Sequence, residues 1–147
     1  MSIKNTSGAD CLVLHCAVPG REYDINIGKG LLSRAADYIP GGFLGKKIAI
    51  VTDTTVGPLY SDTLTTALRG YDSRVFTVPS GEHSKSEQIL FKLYAELLEY
   101  EMTRGDLIIA LGGGVVGDLT GFAASTLLRG ISYIQIPTTL LAQVDSS

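Results

Sequence analysis

Two cysteines and two histidines are all the thiolate and imidazole metal ligands the sequence offers. Cys11 and Cys16 lie in one extended segment, where a separation of five residues points them to opposite faces and disfavours a bridge. They read as buried thiols, and His15 and His83 as structural or exposed, because no carboxylate stands at a metal-ligand spacing from either. Charge is scarce too: 18% of residues are charged, the net charge is −3, and Lys and Arg are scattered. That leaves no basic surface for nucleic acid or an anionic membrane, so the expected partner is a small molecule. The longest apolar stretches, Leu107 to Leu111 and Leu140 to Val144, fall far short of the roughly 20 residues of a membrane helix. Met1 to Asp10 is polar and lacks a secretory signal, so it is expected to be a disordered leader on a cytoplasmic chain. Neither a G-x-x-x-x-G-K-[ST] loop nor a G-x-S-x-G elbow occurs, which argues against a Walker-type ATPase and an elbow-type hydrolase.

What is present suits one α/β domain. With 45% hydrophobic residues, a chain of 147 can build a substantial core. Cys11 to Val18 and Glu22 to Ile27 read as extended segments separated by Pro19-Gly20, the punctuation of a hairpin. Leu31 to Ile39 looks helical, and Pro40-Gly41-Gly42 closes it. Strands are then predicted at Lys47 to Thr52, Arg74 to Val78, Asp106 to Leu111 and Ile131 to Ile136. Helices alternate with them from about Pro58 to Leu68, through to Glu99, and from about Val116 to Leu128. Continuously apolar strands alternating with helices predict a mostly parallel, doubly wound, Rossmann-like sheet covered on both faces. In the middle helix Ile89, Leu90, Leu93, Tyr94, Leu97 and Leu98 recur at helical spacing, and Ser84 with Glu87 reads as a capping box at its start. Leu140 to Val144 reaches Asp145-Ser146-Ser147 with no cap or polar tail, so a natural domain is expected to continue beyond it.

The segment DLIIALGGGVVGD, Asp106 to Asp118, runs from a buried strand through three glycines into a helix. Gly112, Gly114 and Gly117 fit G-x-G-x-x-G, whose glycines admit a pyrophosphate to the helix N-terminus and its dipole. The alternative is close packing, because Gly117, Gly121, Ala124 and Leu128 would share one helical face. A doubly wound binding module that uses its glycines only for packing therefore stays open.

Other candidates follow predicted strand ends, where open α/β sheets bind ligands. Asp53, with Thr54 and Thr55, offers a carboxylate for ribose hydroxyls, or a helix cap. Ser80 to Lys85 offers Glu82 for sugar hydroxyls and Lys85 for phosphate, or a solvated turn. Thr138 and Thr139 offer hydroxyls to a nucleotide, or cap a helix. Arg129 suits either the dipole of a helix C-terminus or an anionic ligand, and Asp145 can be a solvent-facing helix residue.

These residues together resemble a known family. LGGGVVGDLTGFAASTLLRGISYIQIPTTLLAQVDSS, Leu111 to Ser147, is similar to the signature block of the 3-dehydroquinate synthases. SGEHSKS (Ser80 to Ser86), YDINIGKG (Tyr23 to Gly30) and VTDTTV (Val51 to Val56) stand in that family's order. Glycerol and iron-dependent alcohol dehydrogenases and other sugar-phosphate cyclases share the fold and are the alternative. The wording GDLTGFAAS, RGI and PTTLLAQVDSS is nearer the synthases.

The resemblance implies that residues 1–147 form an NAD-binding N-terminal domain of a cytoplasmic, homodimeric lyase of the shikimate pathway and aromatic amino acid biosynthesis. The enzyme uses NAD transiently and a divalent metal, normally zinc, to convert DAHP, a seven-carbon sugar acid phosphate, to 3-dehydroquinate with loss of phosphate. Asp53, Thr55, Glu82, Lys85, Gly113, Gly114, Val115, Asp118, Thr138 and Thr139 would contact NAD. Asp145 would reach the substrate and cofactor region, and Arg129 would meet substrate phosphate or carboxylate in the neighbouring subunit. The family's later Gly-Gly-Lys segment, its further lysines and its helical domain with a Glu and two His as metal ligands are not in this sequence. No metal ligand is therefore carried over, and the chain is expected to be inactive alone.

Overall fold

The computed structural model describes residues 2–5, 11–20 and 22–145. Strands β1 (Ser2–Asn5), β2 (Cys11–Cys16) and β3 (Tyr23–Gly28) form an antiparallel sheet in that order. Part of the expected leader is thus a paired strand; residue 1 and residues 6–10 lie outside the described residues. The hairpin is as expected, with Cys16 opposite Tyr23 and Gly20 turning at φ 75°. Both cysteines are free; Cys11 is buried but Cys16 only half-buried, contrary to expectation, because β2 shields just part of its surface. His15 Nδ1 pairs with Asp24 Oδ1 across the same two strands at 2.8 Å.

The second sheet is parallel and has the order β5-β4-β6-β7. Its strands are β4 (Lys47–Asp53), β5 (Asp72–Val78), β6 (Leu107–Gly112) and β7 (Ser132–Pro137). Helices α1 (Gly57–Ala67), α2 (Glu87–Glu99) and α3 (Gly114–Thr126) connect them in turn, and α4 (Leu140–Val144) follows β7. The period-two geometry of a strand divides the core. Ile48 and Ile50 face Leu64, Leu68, Ile109 and Leu111, while Ala49 and Val51 face Leu93, Leu97, Ile108 and Ala123. Helices therefore cover both faces, as the continuous apolar runs of β4 and β6 require. Each fully buried Ile or Leu here contributes about 1.5–3 kcal/mol of transfer free energy. The outer strands are less covered: β5 alternates between more and less buried residues, and β7 is half-buried after an exposed Ser132, because each has one neighbour.

Three helical expectations change in detail. Leu32–Tyr38 forms 3-10 turns broken at Arg34 (φ −121°). The capping box is not formed: Ser84 is wholly buried in a 3-10 turn, its hydroxyl donates to the Pro79 carbonyl, and α2 starts one residue after Ser86. Helix α3 stops at Thr126, and Leu128 turns to φ 51°, so Leu128 does not continue the face of Gly117 and Gly121. The chain must reverse there to enter β7, and Gly130 at φ 107° completes the reversal.

Candidate functional site at the switch point

The chain leaves β4 for β5 on one side, then returns across β4 to β6 on the other. The carboxyl ends of β4 and β6 therefore diverge at a topological switch point, where open α/β sheets bind their ligands. Asp53 ends β4 there, and Gly112 ends β6.

Asp53 is 9% exposed, and its Oδ1 accepts from the amides of Thr55 and Val56, both at 2.8 Å. One oxygen thus fixes the turn into α1, and the other has no partner among the described residues. Thr54 ties this end to β5, since its amide donates to the Val78 carbonyl (3.1 Å) and its hydroxyl accepts from the Ser80 amide (3.2 Å). Thr55 is exposed beside it. After Gly81, at φ 104°, the loop carries Lys85 toward α3: its Nζ lies 2.9 Å from Asp118 Oδ2 and 3.2 Å from Glu82 Oε2. Hydrogen bonds from Lys85 to Asp118 and then Glu82 raise the ammonium pKa above its ordinary value, so it stays charged.

The glycines divide into two kinds. A Cβ on Gly112 would stand 2.6 Å from Val116 Cβ, and one on Gly117 would stand 2.7 Å from Gln135 Nε2. Those two glycines permit packing, as the alternative reading held. Gly113 differs: it caps α3 at φ −81°, ψ −167°, a conformation open to any residue, and a Cβ there would project to 3.2 Å from Thr139 Cγ2. Gly114 and Val115 follow in the first turn of α3, which holds no acidic side chain. Their amides lie at the positive end of the helix dipole. Strand β7 closes the rim. The Thr138 amide donates to the Gly112 carbonyl at 2.9 Å, and the buried Thr138 hydroxyl has no partner among the described residues. Thr139 caps α4 by accepting from the Ala142 amide at 3.2 Å.

Asp53, Thr55, Glu82, Lys85, Gly113, Gly114, Val115, Asp118, Thr138 and Thr139 are thus brought to one end of the sheet. Asp145 caps the far end of α4 and is exposed. Arg129 is not with them: it precedes β7, whose six residues span about 20 Å. It borders a cleft at the opposite end with Met102, Thr103, Arg104 and Leu128. Among the described residues no group of three or more His, Cys, Asp or Glu could hold a metal, and no helix is long and apolar enough to cross a membrane.

Sheet order, helices on both faces and a glycine turn at the switch point define a Rossmann-like α/β protein. The sequence profile of the 3-dehydroquinate synthase N-terminal family matches residues 75–147. The 3-dehydroquinate synthase of Clostridium beijerinckii is 52% identical over 129 residues, covering 86% of this chain and 37% of that protein. That of Rhizobium etli is 45% identical over 148 residues, covering 99% and 39%. The chain belongs to the 3-dehydroquinate synthase family. It spans 37% and 39% of the length of these two relatives.

Solved structures agree on the fold. A 2-deoxy-scyllo-inosose synthase complexed with carbaglucose-6-phosphate, NAD+ and Co2+ aligns with a TM-score of 0.78 at 23% identity, over 91% of this chain and 36% of that one. A 2-epi-5-epi-valiolone synthase from Streptomyces hygroscopicus, with NAD+ and Zn2+ bound, aligns at 0.62 and 32% identity, over 70% and 29%.

Proposed function

We propose that this chain is the NAD-binding part of a 3-dehydroquinate synthase, a cytoplasmic lyase that converts DAHP to 3-dehydroquinate with loss of phosphate in the shikimate pathway. One observation carries the reading: at the switch point a cradle that a Gly113 Cβ would fill lies beside a buried Thr138 hydroxyl that has no partner among the described residues. A buried hydroxyl without a partner costs roughly 1–3 kcal/mol, which a polar ligand recovers. The residues present therefore fit a dinucleotide.

The amides of Gly113, Gly114 and Val115 would take the pyrophosphate at the α3 dipole. The second oxygen of Asp53 would accept from ribose hydroxyls, and Thr55, Glu82, Thr138 and Thr139 would complete the polar rim. Lys85, oriented by Asp118 early in α3, adds a positive charge beside the start of that helix. When bound, NAD supplies transient oxidation of a substrate hydroxyl, which acidifies the neighbouring C–H and permits phosphate loss.

Asp145 would orient substrate from the end of α4. Arg129 lies a strand's length from its own rim, which supports a homodimer in which it meets the anionic group of substrate bound to the other subunit. The chain's described residues do not fit a zinc site, so no metal-dependent step is assigned to them. Zinc or another divalent metal belongs to the whole enzyme, and this chain alone binds NAD without turnover.

Calorimetric titration of the chain with NAD tests the reading, with Gly113→Val as the control. Saturable binding, weakened at least about tenfold in the variant, is expected, because φ at Gly113 suits any residue while the added side chain would crowd the cradle against Thr139. No binding, or equal binding by the variant, would sink the assignment.

A further inference from the structure

Strand β7 presents a polar side chain to α3 where packing alone calls for an apolar one. Ile134 and Ile136 pack into the cluster around Leu64 and Ile109 on one face of the sheet, and Tyr133 packs with Leu119 and Ala123 on the other. The period-two geometry of the strand puts Gln135, opposite Ala110 of β6, on the same side as Tyr133. There a half-buried amide gives up solvation that a leucine or valine would not, so packing does not account for it.

Both side chains meet the small face of α3. A Cβ on Gly121 would stand 3.6 Å from Tyr133 Cζ, and one on Gly117 would stand 2.7 Å from Gln135 Nε2. The Tyr133 hydroxyl donates to the Gly117 carbonyl at 3.0 Å and lies 3.4 Å from Gln135 Oε1. Gly117 in turn leads to the cradle, because its own amide donates to the Gly113 carbonyl at 3.0 Å. The next residue is Asp118, whose Oδ2 lies 2.9 Å from Lys85 Nζ. Strand β7 then runs on into Thr138 and Thr139. One strand therefore carries the rim hydroxyls and also supports the helix start that faces them.

We propose that Gln135 is a positioning residue for the nucleotide, acting through Gly117. Its amide, with the Tyr133 hydroxyl beside it, seats the first turn of α3 on β7 and so fixes where the Gly113, Gly114 and Val115 amides and the Asp118 carboxylate stand. Backbone amides cannot swing to follow a ligand as a lysine can, so their aim is set by how the helix is seated. The inference rests on the nucleotide reading and deepens it: affinity depends on a side chain placed one helical turn from the cradle.

The test is calorimetric titration with NAD, paired with urea unfolding, on the wild-type chain, Gln135→Met, Gly117→Ala and the double variant. Methionine keeps the length and bulk against Gly117 but not the amide. Gln135→Met should bind NAD about fivefold more weakly, the loss of one hydrogen-bonded contact, with its urea midpoint unchanged or raised. Gly117→Ala should match that loss, because the added Cβ pushes the flexible end of Gln135 aside. The double variant should then lose no more than either single one, since both changes break the same contact. Wild-type affinity in Gln135→Met, an affinity loss that only tracks a lowered urea midpoint, or losses that multiply in the double variant would overturn the proposal. The wild-type titration separates the two readings: binding there with no change in the variants sinks this inference alone, whereas no wild-type binding sinks the nucleotide reading and this one with it.

Discussion

Gly112 and Val116 meet so closely that a Cβ on the glycine would stand 2.6 Å from the valine Cβ and 2.6 Å from its Cγ2. Val116 is 1% exposed and has no room to withdraw. Gly112→Ala is therefore an overpacking change and should cost about 1–3 kcal/mol of stability. Gly113→Val, one residue on, should cost far less and act on nucleotide affinity instead. Urea unfolding of both variants checks this, and equal destabilisation would show that the two glycines are not distinct in role.

That distinction was not legible in the sequence, where G-x-G-x-x-G counts its glycines alike. The buried strands β4 and β6 were legible, because unbroken apolar runs can lie only between two covered faces. Boundaries fared worse wherever a local pattern competed with a distant contact. Ser84 and Glu87 have capping-box spacing, but the Ser84 hydroxyl is taken by the Pro79 carbonyl. Leu128 keeps helical spacing, yet the path into β7 ends α3 before it. Arg104 carries no motif in sequence, and only the fold sets it beside Arg129. The clustering of Asp53, Lys85 and Thr138 was legible in part, since all follow predicted strands.

Tyr133 gives a second prediction. Its hydroxyl donates to the Gly117 carbonyl at 3.0 Å, across the small surface that Gly117 and Gly121 leave on α3. Burial, and then the charge of Asp118, push the phenol up to about 12. The folded value is raised above the ordinary 10.0, so the protonated phenol is the form the fold prefers. Its contribution is fully present below the unfolded value and is lost as pH rises through about 12. Ultraviolet titration of phenolate should show one late-ionising tyrosine fewer in Tyr133→Phe, a variant expected to lose about 1 kcal/mol.

Asp106 should act at the opposite end of the pH scale. It is 3% exposed and joins the starts of β4 and β6, accepting from the Lys47 amide at 2.9 Å and from the Thr103 amide and hydroxyl at 2.6 and 2.8 Å. Burial on its own would raise the carboxyl pKa. The Thr103 and Lys47 hydrogen bonds and the Lys47 charge outweigh burial and hold it below the ordinary 3.8. A carboxylate with a lowered folded pKa contributes stability that is fully present above the unfolded value and is lost as pH falls through the folded one. Asp106→Asn, which keeps the shape but not the charge-assisted bonds, should therefore cost about 1–3 kcal/mol at neutral pH. The gap between wild type and variant should begin to narrow below 3.8 and close only as pH falls through the lower folded value, where the native carboxyl is protonated too. Urea midpoints of the two proteins measured across that range decide it: a gap independent of pH would mean that the ionised carboxylate is not what joins the two strands.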